Sequence, residues 1–395
     1  MELTKSTAKK HFRSSMIKLI SLASILLVVY SYTVANDTVT GNLDVWDDIF
    51  ASREYEVLVH AEDNDLNWTE GPVLVTTKNH TVKQRSGDSP PEEDNWRAEP
   101  GGNGLAAVQS QTPIQKLVMC QHGARRLAML NLDTNTTYPL ASDYEGRRFN
   151  GPNDVVLHSE NGDLFAYFTD PVYAWLEKDR CEDLPYLDEQ VKLFGPGYCG
   201  VYRIKLNDDD ESDANAQNEV ELITSDMMRP NGIDFIDDNH LIVSECCQGS
   251  HLNGCKSGTS RWKIFEQQQD HQERTSSSSW AHIKTIEDTV HVDNAEGGCA
   301  DGFAVYEYVD REKTRKQVLI ASCFGGLCIV DTETGAVISR MWTTREREGC
   351  KISNVAIGKE YVFFTGSCGV LILPLTRAAG SQSLKDTEAS LHAEL

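Results

Sequence analysis

Four segments of this chain repeat one plan, and that repetition limits the folds open to it more than any other feature. They are NGPNDVVLHSENGDLFAYFTD (150–170), RPNGIDFIDDNHLIVSE (229–245), CADGFAVYEYVDREKTRKQVLIASC (299–323) and ISNVAIGKEYVFFTGS (352–367). Each opens on an Asn or Asp step, usually beside Gly, then runs through an apolar strand, an acidic or Gly turn and a second apolar strand. The anchors Asn153, Asn231, Asp301 and Asn354 stand 78, 70 and 53 residues apart. Repeats of short strands on such a period, about four strands to a unit, predict an all-β fold of propeller type. No long amphipathic helical window alternates with the strands, which argues against a doubly wound α/β sheet.

The uneven spacing traces to two excursions and a tail. Residues 79–113 are polar and rich in Pro, Gly and Ser, and residues 250–292 contain EQQQDHQERTSSSSW; both read as loop insertions. Residues 377–395 read as a polar tail. The expected propeller domain is 50–376, and setting the excursions and tail aside leaves about 44 residues for each of six blades. Six blades fit better than eight, and counting leaves seven open.

At the N-terminus, Lys5, Lys9, Lys10, Arg13 and Lys18 precede an uncharged run from Leu19 to Ala35. A basic start, a short apolar stretch and a small-residue exit predict a secretory signal over 1–35, with an uncleaved signal anchor as the variant that would bring a membrane into play. Asn-x-Ser/Thr sequons at Asn36, Asn67, Asn79 and Asn135, together with 11 cysteines, suit a secreted, glycosylated, disulfide-bonded protein. The odd cysteine count leaves one thiol over, and the spacing forms no zinc module; disulfides plus one buried thiol is the expectation. The whole chain has 37 Lys+Arg against 60 Asp+Glu, a formal charge of −23, and the basic leader hides part of the excess. So acidic a surface repels phosphate backbones and speaks against nucleic-acid binding.

Function in a propeller sits where strand entries converge on the axis. Four polar residues stand at such entries, each beside Gly or Pro: Glu70 in TEGPV, Asn153 in GPNDVV, Asn231 in RPNGIDF and Asp301 in ADGFAV. A neighbouring Gly lets the backbone come close to the axis. Two carboxylates and two carboxamides offer only hard oxygen donors, a set suited to one divalent cation, Ca²⁺ before Mg²⁺ or Mn²⁺. Taken singly, each step is an ordinary turn; periodicity alone does not bring the four to one ion.

The stretch DYEGRRFNGPNDVVLHSENGDLFAYFTDP (143–171) closely resembles the senescence-marker-protein/gluconolactonase family of six-bladed propellers. The likeness extends through TEGPV, QHGARRLAMLNLD, GPGYCGVYRI, RPNGIDF and ADGFAV, most of residues 55–375. The resemblance implies a metal-binding set formed by the Glu of EGP and the Asn or Asp of PND, PNG and DG, which here are Glu70, Asn153, Asn231 and Asp301. It departs where Ala300 replaces the usual Pro before Asp-Gly and where SECCQG follows the PNG block. The implied activity is calcium-dependent hydrolysis of a small-molecule lactone, with Asp301 as general base, or as nucleophile in the rival mechanism. Arg148, with Arg147 beside it, and His122 are candidates for substrate contact, each also readable as structural. Asp154, Asp170 and Asp234 read as strand-end structure. No GxSxG elbow or GxGxxG fingerprint supports a serine esterase or a nicotinamide enzyme. Two alternatives remain: a related calcium propeller acting on phosphotriesters or aryl esters, and a non-catalytic binding propeller with structural calcium.

Overall fold

The computed structural model describes residues 39–52, 56–60, 102–108, 116–134, 136–173, 191–193, 195–206, 218–246, 260–268, 279–288, 299–343 and 350–376. Glu70, the leader, the C-terminal tail and the unit expected around TEGPV lie outside these residues.

The described strands form a β-propeller with five blades of four or five antiparallel strands. At the N-terminus come β1 (Val39–Gly41), helix α1 (Leu43–Ile49) and β2 (Glu56–His60). The first blade is β3 (Leu105–Ala107), β4 (Lys116–Gln121), β5 (Arg126–Asn131) and β6 (Thr136–Ala141). A two-stranded ribbon, β7 (Asp143–Tyr144) and β8 (Arg147–Arg148), leads to the second blade, β9 (Val155–Glu160), β10 (Asp163–Asp170), β11 (Cys199–Leu206) and β12 (Val220–Met227). The third is β13 (Pro230–Asp237), β14 (His240–Cys246), β15 (Ser260–Gln268) and β16 (Ser279–Asp288). The fourth is β17 (Phe303–Val309), β18 (Arg315–Cys323), β19 (Gly326–Asp331) and β20 (Val337–Trp342), and the fifth is β21 (Ile352–Ile357), β22 (Tyr361–Gly366) and β23 (Gly369–Pro374).

First strands pack against first strands, in the order β3, β9, β13, β17, β21, so they form the inner wall. The hydrophobic core lies between neighbouring blades, as stacked sheets require. Val118, Leu127, Phe149, Phe168 and Tyr202 fill the gap between the first and second blades. Tyr167, Val201, Ile233 and Phe265 fill the next, and Ile242, Trp262, Leu319 and Val330 the one after.

The N-terminal segment ties the last two described blades together. β1 adds a fifth strand to the edge of the fourth blade, beside β20, with Thr40 opposite Arg340. β2 supplies the outer strand of the fifth blade, pairing with β23. Between them, the Asn42 side chain caps α1 by accepting from the backbone N–H groups of Asp44 and Val45. Trp46, Ile49 and Phe50 sink fully into the cluster that also holds Leu327, Met341, Phe364 and Leu371. Arg311, on the β17–β18 turn, reaches Asp44 at 2.6 Å and Asp48 at 2.7 Å. The ordered fold thus begins before residue 50, because Trp46 and Ile49 are anchors of the core.

Both stretches read in the sequence as loop insertions contain blade strands. Residues 105–107 of the first are β3, the inner strand of a blade, and 260–268 and 279–288 of the second are β15 and β16. The runs of Gln and Ser dilute the apolar signal of strands that expose one face, yet Trp262, Ile264 and Phe265 are buried. Cys323–Cys328 closes the β18–β19 hairpin, and Cys350–Cys368 joins the entry of β21 to the β22–β23 turn. Cys120 is a buried thiol outside any disulfide, of the kind the odd cysteine count led to expect. Cys120 sits in the apolar gap between the first two blades, and burial raises its thiol pKa well above the usual value.

Replacing Trp46 with Ala should destabilise the chain by about 3–5 kcal/mol, because a fully buried indole leaves a cavity at the joint of two blades. Urea unfolding of the two proteins measures it; a loss below about 1 kcal/mol would mean the N-terminal strap contributes little.

Candidate functional site

Every first strand enters the inner wall from the same end, and the second strands of the second, third and fourth blades finish there with a buried hydroxyl. Thr169 of β10 donates from Oγ1 to the carbonyl of Asn231 at 2.7 Å. Ser244 of β14 donates to the carbonyl of Asp301 at 2.6 Å. Ser322 of β18 donates to the carbonyl of Ile352 at 2.7 Å. Each hydroxyl thereby holds the entry of the next blade's inner strand. The pattern was visible as FTD, VSE and ASC at the strand ends, but its partners lie 30 to 62 residues away and have no local signature.

The glycines of the Asn-Gly and Asp-Gly steps serve this contact. A Cβ on Gly232 would fall 2.6 Å from the Asp301 carbonyl oxygen, and one on Gly302 would fall 2.1 Å from Asn354 Oδ1. Gly104 N–H donates to Asn153 O and Gly302 N–H to Ser353 O, both at 2.6 Å. The aspartates reinforce the ring. Asp154 accepts from Val155 N–H and from Ile233 N–H of the next blade; Asp234 does the same with Phe235 and Val305. Burial pushes their pKa values up to about 7 and about 6, the backbone donors opposing the shift. Asp170 accepts from Asn150 N–H at 2.8 Å and Gly151 N–H at 2.7 Å, so it shapes the loop before Asn153, and burial raises it to about 7.

Three of the four residues proposed as cation ligands are described. Asn153 and Asn231 are 6% and 5% exposed, and Asp301 is half-buried. Their strand entries are joined in sequence: Thr169 accepts at its carbonyl from Asn153 N–H and donates from its hydroxyl to Asn231, and Ser244 carries the link on to Asp301. The backbones of Asn153 and Asn231 are bonded, and the Asn231 carboxamide has Tyr173 beside it. Carboxamide oxygens and a carboxylate form a donor set that fits a hard divalent cation. Among the described residues, the other metal-capable cluster is Asp288 with Cys323 and Cys328. There both sulfurs are spent in a disulfide and Asp288 is ion-paired to Arg340 at 2.6 Å.

His122 and Arg148 lie beside the Asn153 entry. His122, on the β4–β5 turn, is 2% exposed and its Nδ1 stands 3.1 Å from the Pro152 carbonyl. Arg148 donates to Ala124 O of that turn, and Arg125 donates in return to Phe149 O at 2.6 Å. Arg147 reaches Lys192 O. His122, Arg125 and Arg148 clamp the turn to the 147–152 segment and so hold Asn153 in place. Sequence reasoning passed over two residues at this end: Tyr173, just after FTDP, and Arg229, just before Pro230-Asn231. Tyr173 has Asn231 beside it and Arg229 and Asp301 within electrostatic reach, and Arg229 is 5% exposed. Neither carries a repeat signature, which is why the spacing did not mark them.

No family model matches the chain. Among curated proteins it is similar to a gluconolactonase of Zymomonas mobilis, with 27% identity over 209 residues, 47% of this chain. The chain spans about half the length, 51%, of that curated relative. Among solved structures it is similar to one described as a candidate gluconolactonase, at a TM-score of 0.51 with 20% identity, covering 86% of this chain and 98% of that one. A luciferin-regenerating enzyme aligns more loosely, at a TM-score of 0.39 with 13% identity over 72% of this chain and 80% of its own. The chain is gluconolactonase-like in sequence over about half its length, and the solved structure agrees in fold.

Thr169→Val should destabilise the ring by about 1–3 kcal/mol, since it removes the donor to Asn231 and the acceptor of Asp154 N–H in a buried place. Equal unfolding midpoints for the two proteins would show that the hydroxyl staple contributes nothing. Asp170 makes a separate, pH-dependent prediction. Its folded pKa, about 7, lies above the unfolded value near 4, so its contribution to stability is full below about pH 4 and is lost as pH rises through about 7. Asp170→Asn should flatten that part of the stability profile, and an unchanged profile would contradict the shift.

Proposed function

We propose that this gluconolactonase-like propeller is a hydrolase of cyclic esters, of the sugar-lactone class, working at the axial end where the first strands enter. The observation that supports the reading is the linked run of strand entries that carries the buried Asn153 and Asn231 and the half-buried Asp301, held by the Thr169 and Ser244 hydroxyls. Asn153, Asn231, Asp301 and, from outside the described residues, Glu70 would hold one divalent cation, Ca²⁺ by the hardness of the donors. Such an ion, when bound, polarises an acyl carbonyl and steadies negative charge on its oxygen.

The chain's own groups carry the remaining steps. Asp301, half-buried and anchored through its backbone carbonyl, accepts the proton of a water that adds to the acyl carbon. The ring C–O bond then breaks, the alkoxide oxygen takes that proton, and a hydroxy acid leaves. Coordination lowers a carboxylate's basicity, so a general-base role asks that one Asp301 oxygen stay clear of the cation. Asn153 and Asn231 hold position without proton transfer, because a carboxamide does not titrate.

The leader directs the chain to the secretory route, where the Cys323–Cys328 and Cys350–Cys368 disulfides form and persist.

Secreted full chain, assayed for acid release from aldonolactones, should turn over with Ca²⁺ and lose activity with a chelator. Asp301→Asn should lower kcat by about 10²–10⁴-fold while Ca²⁺ affinity measured by calorimetry stays within about tenfold. Release from phosphotriesters or aryl esters but not lactones would move the reading to that class. No turnover on any of them, with the chelator only lowering Tm, would leave a binding propeller with structural calcium.

A further inference from the structure

One buried group at the site end has no part in the fold or in the reaction as described. Tyr173 follows Asp170-Pro171 at the exit of β10, and its hydroxyl is buried without a hydrogen-bond partner. The Asn231 side chain lies beside it, and Arg229 and Asp301 are within electrostatic reach. Leaving such a hydroxyl unpaired costs about 1–3 kcal/mol, which Phe at this position would avoid. The unbonded Tyr202 hydroxyl and the Trp262 and Trp280 indoles differ in kind, because they sit in the apolar gaps between blades. Tyr173 instead has Asn231 beside it, with Asp301 and the buried Arg229 within electrostatic reach.

We propose that Tyr173 is a substrate-contacting residue whose hydroxyl donates a hydrogen bond to a substituent oxygen of the bound lactone, so that the site selects oxygen-substituted lactones over bare ones. The inference rests on the hydrolase reading above. Its physical basis is asymmetric: a site with a buried donor binds a ligand that supplies the acceptor and rejects the analogue that leaves the donor unpaired. Arg229, 5% exposed, makes the same surroundings favourable to oxygen-rich ligands. The aromatic ring offers a flat face to a sugar ring at the same time.

Tyr173→Phe in the full chain tests this with three measurements: Tm, kcat and KM on glucono-δ-lactone and δ-valerolactone, and calorimetric binding of gluconolactam, which resists hydrolysis. The expected result is an unchanged or higher Tm, since the variant removes an unpaired group. Alongside it, kcat/KM for the gluconolactone should fall about tenfold or more, the valerolactone value should change less than about twofold, and lactam binding should weaken in step. A lower Tm with unchanged discrimination would assign the hydroxyl to structure and overturn the proposal. Should the unaltered chain hydrolyse no lactone, the hydrolase reading fails by itself, and the lactam then decides Tyr173. Binding about tenfold weaker in the variant sustains the contact, whereas equal binding, or none to either protein, removes it.

Discussion

The ring depends on hydroxyls at the ends of three second strands, each reaching into the peptide that opens the next blade. Thr169, Ser244 and Ser322 make this bond at 2.6–2.7 Å, all fully buried. A propeller blade is a twisted sheet with an apolar face on each side, and burial alone would let neighbouring blades slide. The hydroxyls remove that freedom at the axial end, where a slip of one residue would turn Asn231 or Asp301 away from the mouth. Asp154 and Asp234 add a second link, each bonded to its own strand and to the strand of the next blade. The same bonds that close the ring therefore set the geometry of the candidate site.

Packing and polarity are divided along the radius. Apolar clusters lie between blades, and the acids that belong to the fold sit close to the axis with backbone donors around them. The buried Arg340–Asp288 pair, braced by Arg340 on the Phe324 carbonyl, joins the third and fourth blades toward their outer edges. Breaking a pair of this kind is costly because it strands a charge. The N-terminal strap does with apolar burial what that pair does with charge: Trp46 and Phe50 lock the fourth blade to the fifth. The large acidic surplus of the chain plays no part in this scheme beyond a few named residues.

The repeat was legible because its punctuation is chemical. Asn-Gly, Asp-Gly and Pro-Asn steps recur where the backbone must come within about 2–3 Å of the next blade's entry, and the packing at Gly232 and Gly302 gives the reason. The outer strands were illegible for the opposite reason. β15 and β16 expose one face, so Gln, Ser and Lys alternate with Trp262, Ile264 and Ile286, and the run reads as low complexity. β3 is only three residues long and follows a Pro- and Gly-rich stretch, which left no periodicity to detect.

The amino-acid sequence alone determined the class of fold and the kind of donor at each strand entry, because turn chemistry and strand alternation are local properties. It also carried the steps at Asn153, Asn231 and Asp301, with their hard oxygens. Tertiary structure alone decided what those residues meet. The link from Asn153 through Thr169 to Asn231, and through Ser244 to Asp301, joins positions tens of residues apart. Tyr173 likewise became a candidate only once folding had buried its hydroxyl beside Asn231. A bond between distant residues depends on where the whole chain goes, and that is settled by packing summed over all the blades.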